Sequence, residues 1–397
     1  MRLGIYTPNY PGISGEGGIG SYTRTLAETL TALGHTVHVL TVGTGETRII
    51  QNVAVHQVDL RHFPLVDRFW PGFGYCWYLA QKLRRMVREY QLELVELPNW
   101  EGLGIFYQQS RLTPTVVRLH TSSWETQQID QLPATRLLQA DVSRELQQAR
   151  QADLLLTHSF AHRQRMAEEL NCSCESITVI PHGVKVYPEY RRPPREPGPL
   201  KLLFLSRLEK RKGVQELLLA FPAILEKHPG AVLTLIGHDR EHAPAGENAT
   251  GRTFAQWFSE EFPKSLQAHV HFLGWQPEEV IRHHLQTSDI FIVPSRYESF
   301  GLIYPEAMRW GIPVIGCRVG GVPELIRDGE TGILIDPQSP DQIFQAVDRL
   351  LANDELRFRM GEAGKLHVER NFSAENMAGQ VSNCYTRLLR QTDQFAG

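Results

Sequence analysis

The sequence predicts an α/β protein built as two doubly wound, Rossmann-like domains in series, facing each other across a cleft. Three observations lead there. Short β-rich runs alternate with helical patterns over residues 1–185. A proline-rich stretch without hydrophobic period, VYPEYRRPPREPGP at 186–199, interrupts the alternation. The same alternation then restarts at residue 200. Strands alternating with helices form parallel sheets covered on both faces, and such sheets bind ligands at the carboxyl ends of their strands.

Taken in order, Leu3–Tyr6 reads as a strand and Ser21–Leu33 as a helix stopped by Gly34. Strands follow at Thr36–Thr41, Glu93–Leu97, Thr115–Leu119, Leu154–Thr157 and Ile177–Ile180, with helical stretches between most of them. Beyond the break come the strand Lys201–Leu205, the helix Val214–Glu226 and the strands Val232–Ile236 and Ile290–Val293. Phe300–Trp310 reads as a helix with Gly311 as its stop, before a strand at Val314–Ile315. Met377, Val381, Cys384 and Leu388 recur at helical spacing after Ser373, a plausible N-cap. The expected organisation is a first Rossmann-like domain 1–185, a linker 186–199 and a second Rossmann-like domain 200–372, with the helix 373–391 packing back onto the first domain.

Composition agrees and excludes other classes. A chain of 397 residues suits about two α/β domains. Its 42% hydrophobic and 21% charged residues rule out a disordered class. Lys and Arg number 41 against 44 Asp and Glu, a net charge of −3, so no nucleic-acid partner is expected. The 5 cysteines are odd in number and contain no CxxC, which argues against a disulfide framework or zinc site and fits a reducing cytoplasm. The first residues read as a strand and turn rather than a leader, and no run reaches the ~18 apolar residues of a membrane span.

Four places offer chemistry. Gly17-Gly18-Ile19-Gly20 lies between the first strand and first helix, either a flexible turn or a loop that lets backbone N–H groups approach a phosphate. Ser206–Gly213, SRLEKRKG, crowds four cations behind a strand, as an anion site or a solvated face. Glu298–Gly311, ESFGLIYPEAMRWG, pairs a turn opening a helix with two carboxylates. A helix start can face a phosphate, and a carboxylate can grip a diol, whereas the plain alternative is an acid steadying the helix dipole. His120 stands just past a first-domain strand, where a structural role and a place in the cleft both remain open.

Together these segments resemble the large family of retaining glycosyltransferases with the GT-B fold, family four. Glu298 and Glu306 within ESFGLIYPEAMRWGIPVI resemble its signature, and SRLEKRKG resembles its pyrophosphate loop. GGIGSYTRTLAETLTALGH, VIPHGV at 179–184 and GGVPELIRDGETGILI at 320–335 are similar to further segments of that family, in the same order over nearly the whole chain. The resemblance implies a nucleotide-diphosphate sugar as donor substrate, an acceptor hydroxyl, a hexosyltransferase activity and no further cofactor. By the same resemblance Arg207 and Lys212 bind the donor diphosphate and Gly18 offers its N–H to the distal phosphate. Glu306 holds the ribose, and Glu298 contacts the transferred sugar. The backbone at Phe300, Gly301 and Leu302 touches phosphate and sugar, and His120 sits beside the reacting carbon. The family keeps the anomeric configuration by same-face attack through an oxocarbenium-like state. Fixed cations and a helix end would neutralise the leaving diphosphate without a metal, and no Asp-x-Asp clamp occurs.

Residues 238–262 look longer than the family's usual connection, an insertion expected to form an extra helix or an oligomer contact; HFLGW at 271–275 resembles the base-side strand and loop. The acceptor side is read from HFPLVDRFWPGFGYCWY at 62–78 with Lys82, Arg84, Arg85 and Arg88, and from Trp124 and Glu125. Aromatics beside cations stack on sugars, pack a core, or give a weak peripheral membrane contact with a lipid-linked acceptor; all three stay open. The acceptor is thus a sugar, glycan or lipid-linked molecule, and the expected location is the cytoplasm, with membrane association at its inner face as the variant. Rival functions are a nucleotide-sugar epimerase on the same fold and a non-catalytic nucleotide-sugar-binding protein.

Overall fold

The computed structural model describes residues 1–15, 17–59, 72–195, 197–239 and 251–395. They divide into two compact units, Met1–Lys185 with Phe372–Gly397, and Val186–Asn371.

The first unit holds β1 (Arg2–Tyr6), β2 (Thr36–Val42), β3 (Thr47–Ile50), β4 (Val53–Val58), β5 (Leu94–Pro98), β6 (Thr115–Arg118), β7 (Leu154–Thr157) and β8 (Ile177–Val179). They form one sheet in the order β3-β4-β2-β1-β5-β6-β7-β8, parallel except for the β3–β4 pair. Adjacent residues of a strand point to opposite faces. Thus Leu3, Ile5, Leu94 and Val116 enter one core, while Tyr6, Val95 and Val117 enter the other. Two buried faces explain why the inner strands read as continuous apolar runs rather than as alternation. The β3–β4 hairpin escaped the sequence reading. Its turn residues, Gln51 and Asn52, both take positive φ (49° and 64°), the sign of a tight hairpin turn without the glycine that usually announces one.

The helix Ala374–Phe395 belongs to this first unit. Met377, Ala378, Val381, Cys384, Tyr385 and Leu388 share a core with Tyr22, Leu26, Ala27 and Leu30 of the helix Gly18–Ala32. The i, i+4 spacing seen in the sequence is the buried stripe.

The second unit holds β9 (Lys201–Leu205), β10 (Val232–Ile236), β11 (Val270–Gly274), β12 (Ile290–Ile292), β13 (Val314–Cys317) and β14 (Gly332–Ile335), in the parallel order β11-β10-β9-β12-β13-β14. Strand order reverses between β9 and β12, so the loops after these two strands leave in opposite directions and open a crevice at their carboxyl ends. The helix expected from Phe300 starts later, at Ile303, because Gly301 at φ 94° cannot lie in a right-handed helix. Part of the expected insertion, 240–250, lies outside the described residues, but the helix Phe254–Glu261 that follows is present. Its first two N–H groups, of Phe254 and Ala255, donate to the Asp239 carboxylate at 2.9 Å each.

Of the stretch expected as a linker, residues 187–195 are laid onto the second unit. Tyr187 stacks on Trp310 at 4.8 Å and Tyr190 meets the same ring edge-on at 5.0 Å. Arg192 donates to the carbonyls of Leu285, Trp310 and Ser288, and Arg195 pairs with Asp289 at 3.1 Å. A missing hydrophobic period concealed this, since aromatics and arginines hold the segment one by one.

Candidate functional site

In the second unit, the loops after β9 and β12 meet at the reversal of strand order. The first loop carries Arg207 and ends in a tight turn over Lys210–Lys212, closed by Gly213 at φ 74°. A Cβ on Gly213 would lie 2.0 Å from the Pro294 carbonyl oxygen, so the two loops touch backbone to backbone there. Lys212 points into the contact. Its Nζ donates to Glu298 Oε1 at 2.6 Å, and Ser295 Oγ donates to the same oxygen at 2.8 Å. Both partners are 8% exposed. Burial would raise the Glu298 carboxyl, but Lys212, Arg211 and the Ser295 hydroxyl together hold it below the usual carboxylate range. Burial lowers the Lys212 ammonium, and Glu298 offsets part of that.

The solvated-face alternative for SRLEKRKG fails at Lys212, which is buried and paired with Glu298. Arg207 does lie open, its side chain 50% exposed and paired with Glu209 at 2.8 Å. Glu306 is partly buried one turn into the helix Ile303–Met308. Burial raises its carboxyl, and among the described residues no hydrogen bond engages that carboxylate. Phe300 is buried, Gly301 takes its left-handed turn against the Tyr304 ring, and Leu302 caps the helix. Gly320, at φ 50°, lets the chain pass the Glu298 carbonyl, 2.0 Å from where a Cβ would stand. The two glutamates therefore play different parts. Glu298 is locked into an ion pair, whereas Glu306 keeps its acceptor oxygens available.

In the first unit the glycine loop is divided in the same way. A Cβ on Gly20 would strike the Asn9 carbonyl oxygen at 2.8 Å, whereas nothing lies within 4 Å of one on Gly18. The protein's own packing explains Gly20 but not Gly18, whose side faces open space at a helix start.

His120 does not stand alone past its strand. His158 follows β7 and His182 lies just past β8, and ring nitrogens of the three lie within 4.8 Å of one another, all buried. Burial, joined by the Arg118 charge, holds His120 well below the ordinary histidine range, and burial does the same for His158 and His182. The signal that would have found them is positional: each of three neighbouring strands is followed by a histidine. A tetrahedral metal at about 2.0–2.1 Å from each nitrogen would need those atoms about 3.3 Å apart. The fully buried Arg118 guanidinium beside them also raises the cost of a further cation.

Glu125, expected on the acceptor side, is consumed inside the fold. It closes a capping box with Ser122 and also takes His162 Nε2 at 2.9 Å and Arg165 Nε at 3.0 Å, at 0% exposure. Trp124 is half-buried under the Arg165 guanidinium. Of the aromatic stretch, 62–71 lies outside the described residues. In the helix Phe73–Tyr90, Tyr75 and Tyr78 pack on the core and Phe73 and Trp77 are exposed. All five cysteines are free, and no described helix is long and apolar enough to cross a membrane.

Known proteins match this arrangement. Residues 187–367 match the family described as glycosyl transferases group 1, and residues 16–186 match glycosyltransferase family 4. The chain is 35% identical over 245 residues to a D-inositol 3-phosphate glycosyltransferase of Corynebacterium glutamicum, a match covering 59% of this chain and 57% of that protein. The chain thus spans about half the length of the curated relatives it first matches. Sucrose-phosphate synthase from Thermosynechococcus elongatus is similar in structure at a TM-score of 0.76 and 20% identity, covering 98% of this chain and 99% of that one. HepE of Anabaena, solved with UDP and glucose, is similar at a TM-score of 0.72 and 17% identity, covering 97% and 99%. Two family models in chain order, each on one doubly wound unit, show that this chain belongs to the family-four glycosyltransferases of the GT-B fold.

Proposed function

We propose that this protein transfers a hexose from a nucleotide-diphosphate donor to an acceptor hydroxyl with retention of the anomeric configuration. One observation supports it most: cations and carboxylates converge where strand order reverses in the second sheet, with Lys212 2.6 Å from Glu298. In this reading Arg207 and Lys212 meet the donor diphosphate, whose charge grows as the glycosidic bond stretches. Fixed cations stabilise that growing charge more than they stabilise the bound donor. Glu306, with its acceptor oxygens available, takes the ribose hydroxyls. Glu298, oriented by Lys212 and Ser295, takes hydroxyls of the sugar, and the N–H groups at Phe300–Leu302 complete the hold. From the first unit, the reading assigns the Gly18 N–H to the distal phosphate and the neutral His120 to the sugar. Incoming hydroxyl and departing diphosphate share one face, and the diphosphate takes up the hydroxyl proton. These side chains supply the charge a metal would supply, so transfer proceeds without one.

The relatives' names set the first trials, a UDP-sugar as donor and an inositol phosphate as acceptor, followed by the glycan and lipid-linked acceptors expected from the sequence. A matching donor raises the melting temperature, about 2.7 kcal/mol of stabilisation at a hundredfold excess over its dissociation constant. Transfer should then continue in excess chelator. Activity lost in chelator and restored by magnesium or manganese would refute the metal-free mechanism, and release of an altered sugar without acceptor would mark an epimerase.

A further inference from the structure

The residue that organises the three histidines is Arg118, the last of β6. It is fully buried. Its Nη1 donates to the Thr157 carbonyl at 3.4 Å and to the Ile180 carbonyl at 3.2 Å. Thr157 immediately precedes His158, and Ile180 stands two residues before His182. One guanidinium therefore joins the ends of three adjacent strands at the points where they deliver His120, His158 and His182.

Around it the contacts continue. The guanidinium lies 4.7 Å over the Tyr22 ring, and that ring meets His182 at 4.6 Å and His120 at 5.6 Å. The His158 and His182 rings stack at 4.7 Å, and His120 and His182 at 5.7 Å. Glu96 on β5 balances the charge and accepts from Tyr22 at 2.9 Å and from Tyr385 of the last helix. A buried guanidinium carries a desolvation penalty that an apolar residue in its place would not. Packing alone therefore does not account for an arginine here.

We propose that Arg118 is a positioning residue for glycosyl transfer, tying the ends of β7 and β8 to β6 so that His158 and His182 stack behind His120 and hold its imidazole toward the transferred sugar. The proposal rests on the assignment of His120 to that sugar. The sugar gains positive charge as the diphosphate leaves. Neutral imidazoles tolerate that charge, and protonated ones repel it. A fixed cation beside the stack opposes its protonation. The groups facing the stack are Arg118 on β6, Glu96 on β5, Tyr22 on the first helix, Tyr385 on the last, and His162 with Glu125 beyond His158.

The test compares Arg118→Met, Arg118→Lys and the double variant Glu96→Gln/Arg118→Met, which removes both buried charges together. Transfer kinetics against pH, nucleoside-diphosphate binding, melting temperature and imidazole 1H–15N spectra are recorded for each. A displaced stack lowers kcat about 10–100-fold. Diphosphate affinity stays within about twofold, the acid limb of kcat moves to higher pH, and the ring resonances shift. Arg118→Lys keeps the charge, but its shorter side chain holds the ammonium back from the two carbonyls, so the acid limb stays while kcat still falls. Unchanged kcat, acid limb and ring resonances in a folded Arg118→Met overturn the proposal. So does full recovery of kcat in the double variant, since the loss would then be one of stability. A wild-type protein inactive with every donor overturns the transferase reading itself, whereas active wild type with an indifferent Arg118 overturns this inference alone.

Discussion

At the scale of the residue, Arg207 and Lys212 share a charge but not a setting. Arg207 is half exposed, and its pair with Glu209 adds little to stability. Arg207→Ala should cut transfer at least ~100-fold by steady-state kinetics while melting as the wild type does. Lys212→Ala strands a buried carboxylate, so calorimetric unfolding should reveal a loss of about 3–5 kcal/mol as well. The double variant Lys212→Met/Glu298→Gln should regain most of that stability and none of the activity. Glu306→Ala should weaken donor and free diphosphate alike by about 1.5–3 kcal/mol in titration calorimetry. An unaltered diphosphate affinity would remove it from the ribose. The histidines fix a pH dependence. His120, His158 and His182 lie well below the ordinary range, and burial with His56 nearby pushes His38 down to about 4. Below about pH 6.5 the unfolded chain takes protons at these sites that the folded chain refuses. Stability is therefore full above that pH and falls as pH drops toward 4, by up to about 1.4 kcal/mol per pH unit for each group. Melting temperatures between pH 8 and 4.5 measure this, and a flat profile would contradict the burial of the stack.

At the scale of the element, the glycine loop separates structure from function. Gly20→Ala forces a Cβ onto the Asn9 backbone and should lower the melting temperature. Gly18→Ala meets no neighbour in the fold, so it should keep the melting temperature and weaken donor binding. If both variants behave alike, the loop has no role toward a phosphate. The loops that place Arg207, Lys212 and Glu298 were legible in the sequence because each follows a short apolar strand and carries charge. The hairpin at β3–β4 was not, because Gln51 and Asn52 adopt left-handed angles that no glycine advertises. The anchoring of 187–195 was hidden for a different reason. Stacking on Trp310 and donation to scattered carbonyls leave no periodic trace.

At the scale of the whole molecule, the chain's last helix completes the first unit's core. Tyr385 donates to Glu96, which also counters Arg118. Tyr385→Phe should cost about 1.5–3 kcal/mol, the worth of a hydrogen bond to a charged group. Hydrogen exchange should report that loss across β5 and β6 more than across β9 and β12. Equal loss in both units would mean that the last helix does not act through the first.

The sequence by itself determined the fold class, the order of the two α/β units, the family and the segments that carry charge. Those rest on local alternation, on glycines at fixed offsets and on motif order, all of which are written along the chain. Tertiary structure alone decided that Lys212 pairs with Glu298, that Glu125 caps a helix, and that His120 has two companions and an arginine beneath them. Residues 86 apart become an ion pair, and histidines from three strands become a stack, because a parallel sheet lays distant strand ends side by side. Spacing along the chain carries no record of that adjacency. Burial then sets the charge of each group, and burial is a property of the packed molecule.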